Sequence, residues 1–299
     1  MAVTTSTSDK QRTGFPWWVG ALVIPIGFVA TIVVWGQITK ALGWRQYNYD
    51  TETAQAMAAG IPVGAVLLAL MVWLWRWSGW TLQGPKIRWD KAVWWTLGIY
   101  LGLGVLTFIT ASSGGASPDI RLLVSVLIAS IFIGLNEELA FRGFSVNGFA
   151  RRLPVFWAVV AAAVIFGLCH STNIFSGSAP GKVAIQVVLT MFMGLMFGWL
   201  YIFSGRNLLL VALVHAIHDF FVVAPTTFAG ASDDSASALD SLFAWAHSTV
   251  GGIISATIPL VITYYGWQKY KGYTLEQALG LAPAPVTDEA METSEGAVT

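Results

Sequence analysis

Long apolar runs, each of the length needed to cross a bilayer, recur from one end of this chain to the other. A spanning helix needs about 20 predominantly apolar residues. Eight segments meet that requirement, at about 17–39, 57–77, 93–113, 121–148, 154–172, 183–204, 207–225 and 248–267. The expected fold class is all-α: a polytopic membrane protein of about eight transmembrane helices around a polar cavity inside the membrane. Residues 1–15 read as a disordered polar tail, 16–271 as the transmembrane helical domain, and 272–299 as a solvated Ala/Pro/Glu-rich tail. The fourth run is long enough to tilt strongly or to continue into the interface.

Composition supports this reading. Of 299 residues, 56% are hydrophobic and 11% charged, against about 25% charged in an ordinary soluble domain. The net charge is zero, so nothing points to nucleic acid; the lipid bilayer is the expected surrounding. The single cysteine, Cys169, excludes an internal disulfide. The first apolar run is too long for a secretory signal and lacks a small-x-small cleavage site, so it is expected to be a retained helix. Trp17, Trp18, Trp75, Trp77, Trp94 and Trp95 fall near the ends of runs, as interfacial belts do. Eleven of the sixteen basic residues fall on one side of the eight-span arrangement and four on the other, with Arg142 inside an apolar run. The positive-inside rule then places both termini in the cytoplasm, with the acidic loop Phe228–Asp240 on the far side; the expected location is the plasma membrane of a prokaryote.

Three of the apolar runs carry ionisable groups. The fourth holds Glu137, Glu138 and Arg142. A charge at bilayer depth costs on the order of 2.5–3.5 kcal/mol on the mildest scale, so such groups persist where they find partners or line a protected site. On a helix, residues i and i+4 share a face and neighbours point about 100° apart. Glu138 and Arg142 are therefore natural partners, with a structural role. Glu137 points elsewhere and is free to take a proton from water and hand it on. The same three residues would also serve as a buried ion network that only fixes helix packing.

The fifth run ends at Phe166-Gly-Leu-Cys169-His170, and the seventh contains His215-Ala-Ile-His218-Asp219. His170 taken alone suits an interfacial position as well as a catalytic one. His215 and Asp219 share a helix face, as a packing pair or as functional partners, and His218 lies one turn from His215. Histidines and a carboxylate so spaced could hold a metal or donate hydrogen bonds. The chain has no HExxH and no cysteine cluster, so spacing by itself says little for zinc. Taken together, the three anomalies account for one another's burial and should build one site.

In order and spacing these elements resemble the CPBP family of intramembrane proteases, which includes the CAAX prenyl endopeptidases and bacteriocin-processing relatives. The family's EExxxR is Glu137-Glu138-x-x-x-Arg142, its FxxxH is Phe166-Gly-Leu-Cys169-His170, and its HxxxN or HxxxD is His215-Ala-Ile-His218-Asp219. Phe141-Arg142-Gly143-Phe144 fits as well. The likeness covers about residues 121–222.

The resemblance implies an endopeptidase that hydrolyses a membrane-associated or lipidated peptide. Glu137 and His170 would activate a water, His215 and Asp219 would stabilise the oxyanion or its support, and Glu138, Arg142 and Phe166 would hold them. Many relatives carry Asn at the position of Asp219. An amide can donate to an oxyanion and an ionised Asp cannot, so Asp219 would be protonated, orient His215 or bind a metal. Both a metal and a metal-free glutamate mechanism are compatible with the family. No cofactor is required in the second; zinc on Glu137, His170 and His215 is the expectation in the first. Two rival readings are a catalytically inactive relative kept as a binding or scaffold protein, and a proton-coupled transporter. The depths of the two histidines disagree: His215 lies about 12 Å from the start of its run and His170 about 24 Å from the start of its own.

Overall fold

The computed structural model describes residues 15–43, 49–77, 87–112, 119–227 and 249–283. Every regular element among them is helical. In chain order these are α1 (Ile24–Ala41), preceded by a π-helical turn at Val19–Val23, then α2 (Tyr49–Trp77), α3 (Lys91–Ser112) and α4 (Ile120–Glu138). The last continues through a π-helical stretch, Leu139–Val146, into the short α5 (Asn147–Ala150). Beyond it lie α6 (Val155–Cys169), a 3-10 run at His170–Ser176, α7 (Pro180–Phe203), α8 (Leu208–Val223), α9 (Thr249–Tyr270) and the single turn α10 (Leu275–Ala278).

A helix falls on each of the eight expected runs. Among the described residues, five stretches are long and apolar enough to cross a membrane: Val19–Ala41, Ala56–Arg76, Ile120–Ala150, Val155–Ser176 and Pro180–Phe203. Lys91–Leu106 and Leu208–Val223 are shorter apolar helices, so length alone does not carry the count of eight. The protein is an all-α membrane protein. The acidic loop Phe228–Asp240, residues 1–14 and residues 284–299 lie outside the described residues.

Local chemistry sets several of the helix ends that frame the site. Asp119 caps α4 by accepting from the backbone N–H of Arg121 and Leu122, which satisfies otherwise orphaned donors. Asn207 caps α8 through the N–H of Leu210. Pro180 opens α7, where its missing N–H costs nothing. Gly177, at φ +93°, ends the 3-10 run in a left-handed conformation that side chains rarely adopt.

Helix α4 lies between α2 and α8, while α6 packs along α7 and α7 along α9. Two of these contacts depend on missing side chains. A Cβ at Gly134 would collide with the carbonyl of Ala212, so α4 and α8 meet backbone to backbone. A Cβ at Gly194 would lie 2.9 Å from Cα of Ala163, which brings α7 equally close to α6. Asn136 ties α4 to α2 by donating to the carbonyl of Gly64 at 2.9 Å.

Two expectations need correction. Trp75 is not part of an interfacial belt. It is buried and meets Phe144 edge-on at 5.1 Å, because α2 lays its last turns against the π-helical stretch. Trp18, Trp94 and Trp95 are exposed, as a belt requires. The chain after Lys271 is not wholly solvated: the Tyr273 carbonyl accepts from Val155 N at the start of α6, and Ala278 is buried. Nearby, Lys269 pairs with Asp90 and pins α9 to the start of α3. Burial pushes the Asp90 carboxyl up, but the hydrogen bond and charge of Lys269 outweigh it and hold the group below the usual carboxylate range.

Candidate active site

Glu137 and Glu138 occupy the last turn of α4, where the ladder passes from α to π geometry. π-Turns are rare and frequent at functional sites. This one places Arg142 and Gly143 so that Asn147 Nδ2 donates to both their carbonyls, at 3.0 and 2.6 Å. Arg142 is almost fully buried. Its Nη1 donates to Glu138 Oε1 at 2.8 Å, and its Nη2 to the Gly194 carbonyl at 3.2 Å. The guanidinium also lies over Phe166 at 4.7 Å and Phe197 at 5.3 Å. These contacts join α4, α6 and α7 around one cation, and aromatic faces favour a cation above them.

The Glu138 carboxylate is fully enclosed and makes a second bond. Oε1 accepts from His215 Nδ1 at 2.7 Å. A carboxylate only accepts, so the proton of this bond sits on Nδ1, and Nε2 is the nitrogen turned to the rest of the site. Glu137 Oε2 lies 3.8 Å from Nε2 and Asp219 Oδ2 lies 3.6 Å from it. The Glu137 and Asp219 side chains are 21% and 20% exposed, against 0% for Glu138. Of the three carboxyl groups, Glu137 and Asp219 are therefore the two that another molecule can reach. With Nδ1 protonated, a lone pair on Nε2 would face two carboxyl oxygens. One proton among Nε2, Glu137 and Asp219 relieves that repulsion.

Aromatic rings fix the imidazoles. His215 stacks on Phe197 at 4.8 Å and 27°. Phe166 meets His170 edge-on at 4.9 Å and His215 at 6.3 Å. His170 Nδ1 lies 2.9 Å from the Phe166 carbonyl, an acceptor, so Nδ1–H donates there and leaves Nε2 free. Phe166 thus meets both imidazoles and brings the two histidines to one site, with His170 opening the 3-10 run that follows α6.

All seven residues singled out from the sequence therefore lie in one connected cluster. Glu138 meets Arg142 as the spacing implied, and it is Glu138, not Asp219, that hydrogen-bonds His215. Phe197 and Gly194 were not singled out. Gly194-x-x-x-Gly198 in an apolar run is the small-xxx-small signature of close helix packing, and it would have marked this face of α7.

Among the described residues, no group of three or more His, Cys, Asp or Glu side chains is arranged to hold a metal ion. The residues as placed do not build the expected zinc site on Glu137, His170 and His215, and no step below is routed through a metal.

Buried carboxylates and histidines converging inside an all-α membrane bundle define the chain as an intramembrane protein with a polar site. Residues 119–221, about a third of the chain, match the family model described as type II CAAX prenyl endopeptidase Rce1-like. The match is to that segment, which carries Glu137, Glu138, Arg142, Phe166, His170, His215 and Asp219. No curated protein matches the chain.

Proposed function

We propose that the protein is an intramembrane endopeptidase and that the cluster around His215 is its active site. The observation that carries this reading is the pairing of roles. Glu138, Arg142 and the aromatic rings are buried and committed to one another, while the Glu137 and Asp219 carboxyl groups lie at a reachable edge, 3.8 and 3.6 Å from His215 Nε2. Glu137 takes a proton from a water whose oxygen attacks the scissile carbonyl carbon. His170, through its free Nε2, orients that water. His215 Nε2 and Asp219 hold the proton that stabilises the developing oxyanion. Collapse breaks the C–N bond, and the proton on Glu137 passes to the departing amine.

The substrate in this reading is a membrane-associated or lipidated peptide that reaches the site from the bilayer. The likeness to CAAX prenyl endopeptidases over residues 119–221 favours a prenylated CaaX tail as the first probe. A transporter is less well supported, because the ionisable site groups on α4, α8 and the 3-10 run after α6 gather at one point and, among the described residues, mark no pathway across the bundle. The test is purified protein in lipid nanodiscs with a farnesylated CaaX peptide, read by mass spectrometry. Release of the terminal residues by wild type, and none by Glu137→Gln, is expected. A folded wild type that binds the probe without cleaving it would favour the binding-protein reading.

A further inference from the structure

One turn beyond His170, an amide pair bridges two helical elements. Asn173 Nδ2 donates to Gln186 Oε1 at 2.8 Å, and both side chains are half-buried. Asn173 lies in the 3-10 run His170–Ser176. With three residues per turn, Asn173 stands on the same edge as His170, about 6 Å along the axis. Gln186 lies on α7, eleven residues before Phe197 and eight before Gly194. The first interval is close to three whole turns, so Gln186 shares the α7 face that carries the ring stacked on His215. The pair thus extends the wall of the active site by one step.

The single bond leaves much of each amide unused. An Asn or Gln side chain has two N–H donors and a carbonyl acceptor. Neither Asn173 nor Gln186 makes a further side-chain bond among the described residues. The adjacent Thr190 is already spent, its hydroxyl donating back to the Gln186 backbone carbonyl at 2.8 Å. The pair therefore offers Asn173 Oδ1 as an acceptor and Gln186 Nε2 as a donor, side by side. An extended peptide presents just this complement, an N–H and a C=O directed to one side.

We propose that the Asn173–Gln186 pair is a backbone-recognition subsite for the substrate peptide. A substrate N–H donates to Asn173 Oδ1, and a substrate C=O accepts from Gln186 Nε2. The strand is held extended beside His170 without regard to its side chains. This rests on the endopeptidase reading and adds to it how the peptide is aligned.

The test uses full-length protein in nanodiscs and the farnesylated CaaX peptide, with esters replacing its non-scissile amides one at a time. An ester lacks the N–H. At one position it should raise KM about tenfold in wild type, the effect of one lost hydrogen bond. Asn173→Leu should raise KM by a similar factor with kcat little changed, and the same ester should then cost nothing further. Gln186→Leu should also raise KM, while leaving the ester effect in place. If the ester and Asn173→Leu penalties multiply, or if both variants lower kcat and thermal stability with KM unchanged, the pair is only a packing link and the proposal fails. The two readings fail separately. Cleavage that needs Glu137 but shows no such coupling removes the subsite alone; a wild type that neither binds nor cleaves the probe removes the endopeptidase reading and the subsite with it.

Discussion

Glu138 Oε1 accepts from His215 Nδ1 at 2.7 Å, across the close contact between α4 and α8. The same oxygen accepts from Arg142 at 2.8 Å. One buried carboxylate thus sets the tautomer and direction of the imidazole while a guanidinium balances its charge. The adjacent carboxylate, Glu137, takes no part in this bonding and keeps its oxygens for chemistry.

The two glutamates should therefore separate on mutation. Glu137→Gln is expected to fold and insert normally and to lose turnover, because an amide cannot accept the water's proton. Glu138→Gln and Arg142→Ala should instead lower stability by about 3–5 kcal/mol, the usual cost of breaking a buried ion pair. Thermal unfolding in detergent beside activity decides the matter. Full activity of Glu137→Gln would show that another group is the base.

Gly134 is the point at which α4 and α8 touch, three residues before Glu137. Gly134→Ala should push the helices apart, lengthen the Glu138–His215 bond and destabilise by about 1–3 kcal/mol, as overpacking does. Gly98→Ala is the control, since a Cβ there meets nothing within 4 Å. Equal melting temperatures for the two variants would mean that the α4–α8 contact yields freely.

Much of this site could be read from spacing. The partnership of Glu138 with Arg142 and the shared face of His215 and Asp219 both follow from i, i+4 geometry, which a sequence displays directly. Burial of ionisable groups in apolar runs was likewise visible as a conflict needing resolution. What could not be read is whatever depends on the meeting of distant segments. The Glu138–His215 bond spans 77 residues; its existence depends on the glycine contact and on the axial register of two helices, and neither leaves a periodic signal. The π-turn after Glu138 was hidden for another reason. Leu139–Val146 has an ordinary helical composition, and only its packing against α1, α2 and α6 distinguishes it. Trp75 misled for a similar reason: an aromatic at a span end reads as a belt residue until the neighbouring helix is known.

Topology offers a test of the whole arrangement. Reporter fusions after Arg12, near Ser235 and after Lys271 should give cytoplasmic signals at the first and last positions and an external signal at the middle one. A cytoplasmic signal at all three would require an even number of crossings on each side of Ser235, which the eight-span arrangement does not have.

Asp219 decides between the two chemistries open to the site. Its Oδ2 lies 3.6 Å from His215 Nε2, near enough to share a proton through a small movement and not close enough to hold the ring. Glu138 already does that. If Asp219 works as a protonated donor to the oxyanion, Asp219→Asn preserves the donor and should retain or raise activity, with no response to chelator. If it ligates a metal, the same change removes a charged ligand, and metal content and turnover should fall together. Metal analysis of purified wild type and Asp219→Asn, beside peptide cleavage with and without chelator, separates the cases. The geometry favours the first outcome, because Glu138 already holds the His215 ring and Asp219 stands beside Nε2 rather than bonded to it. Stoichiometric zinc in wild type, lost with activity in Asp219→Asn, would overturn the donor role.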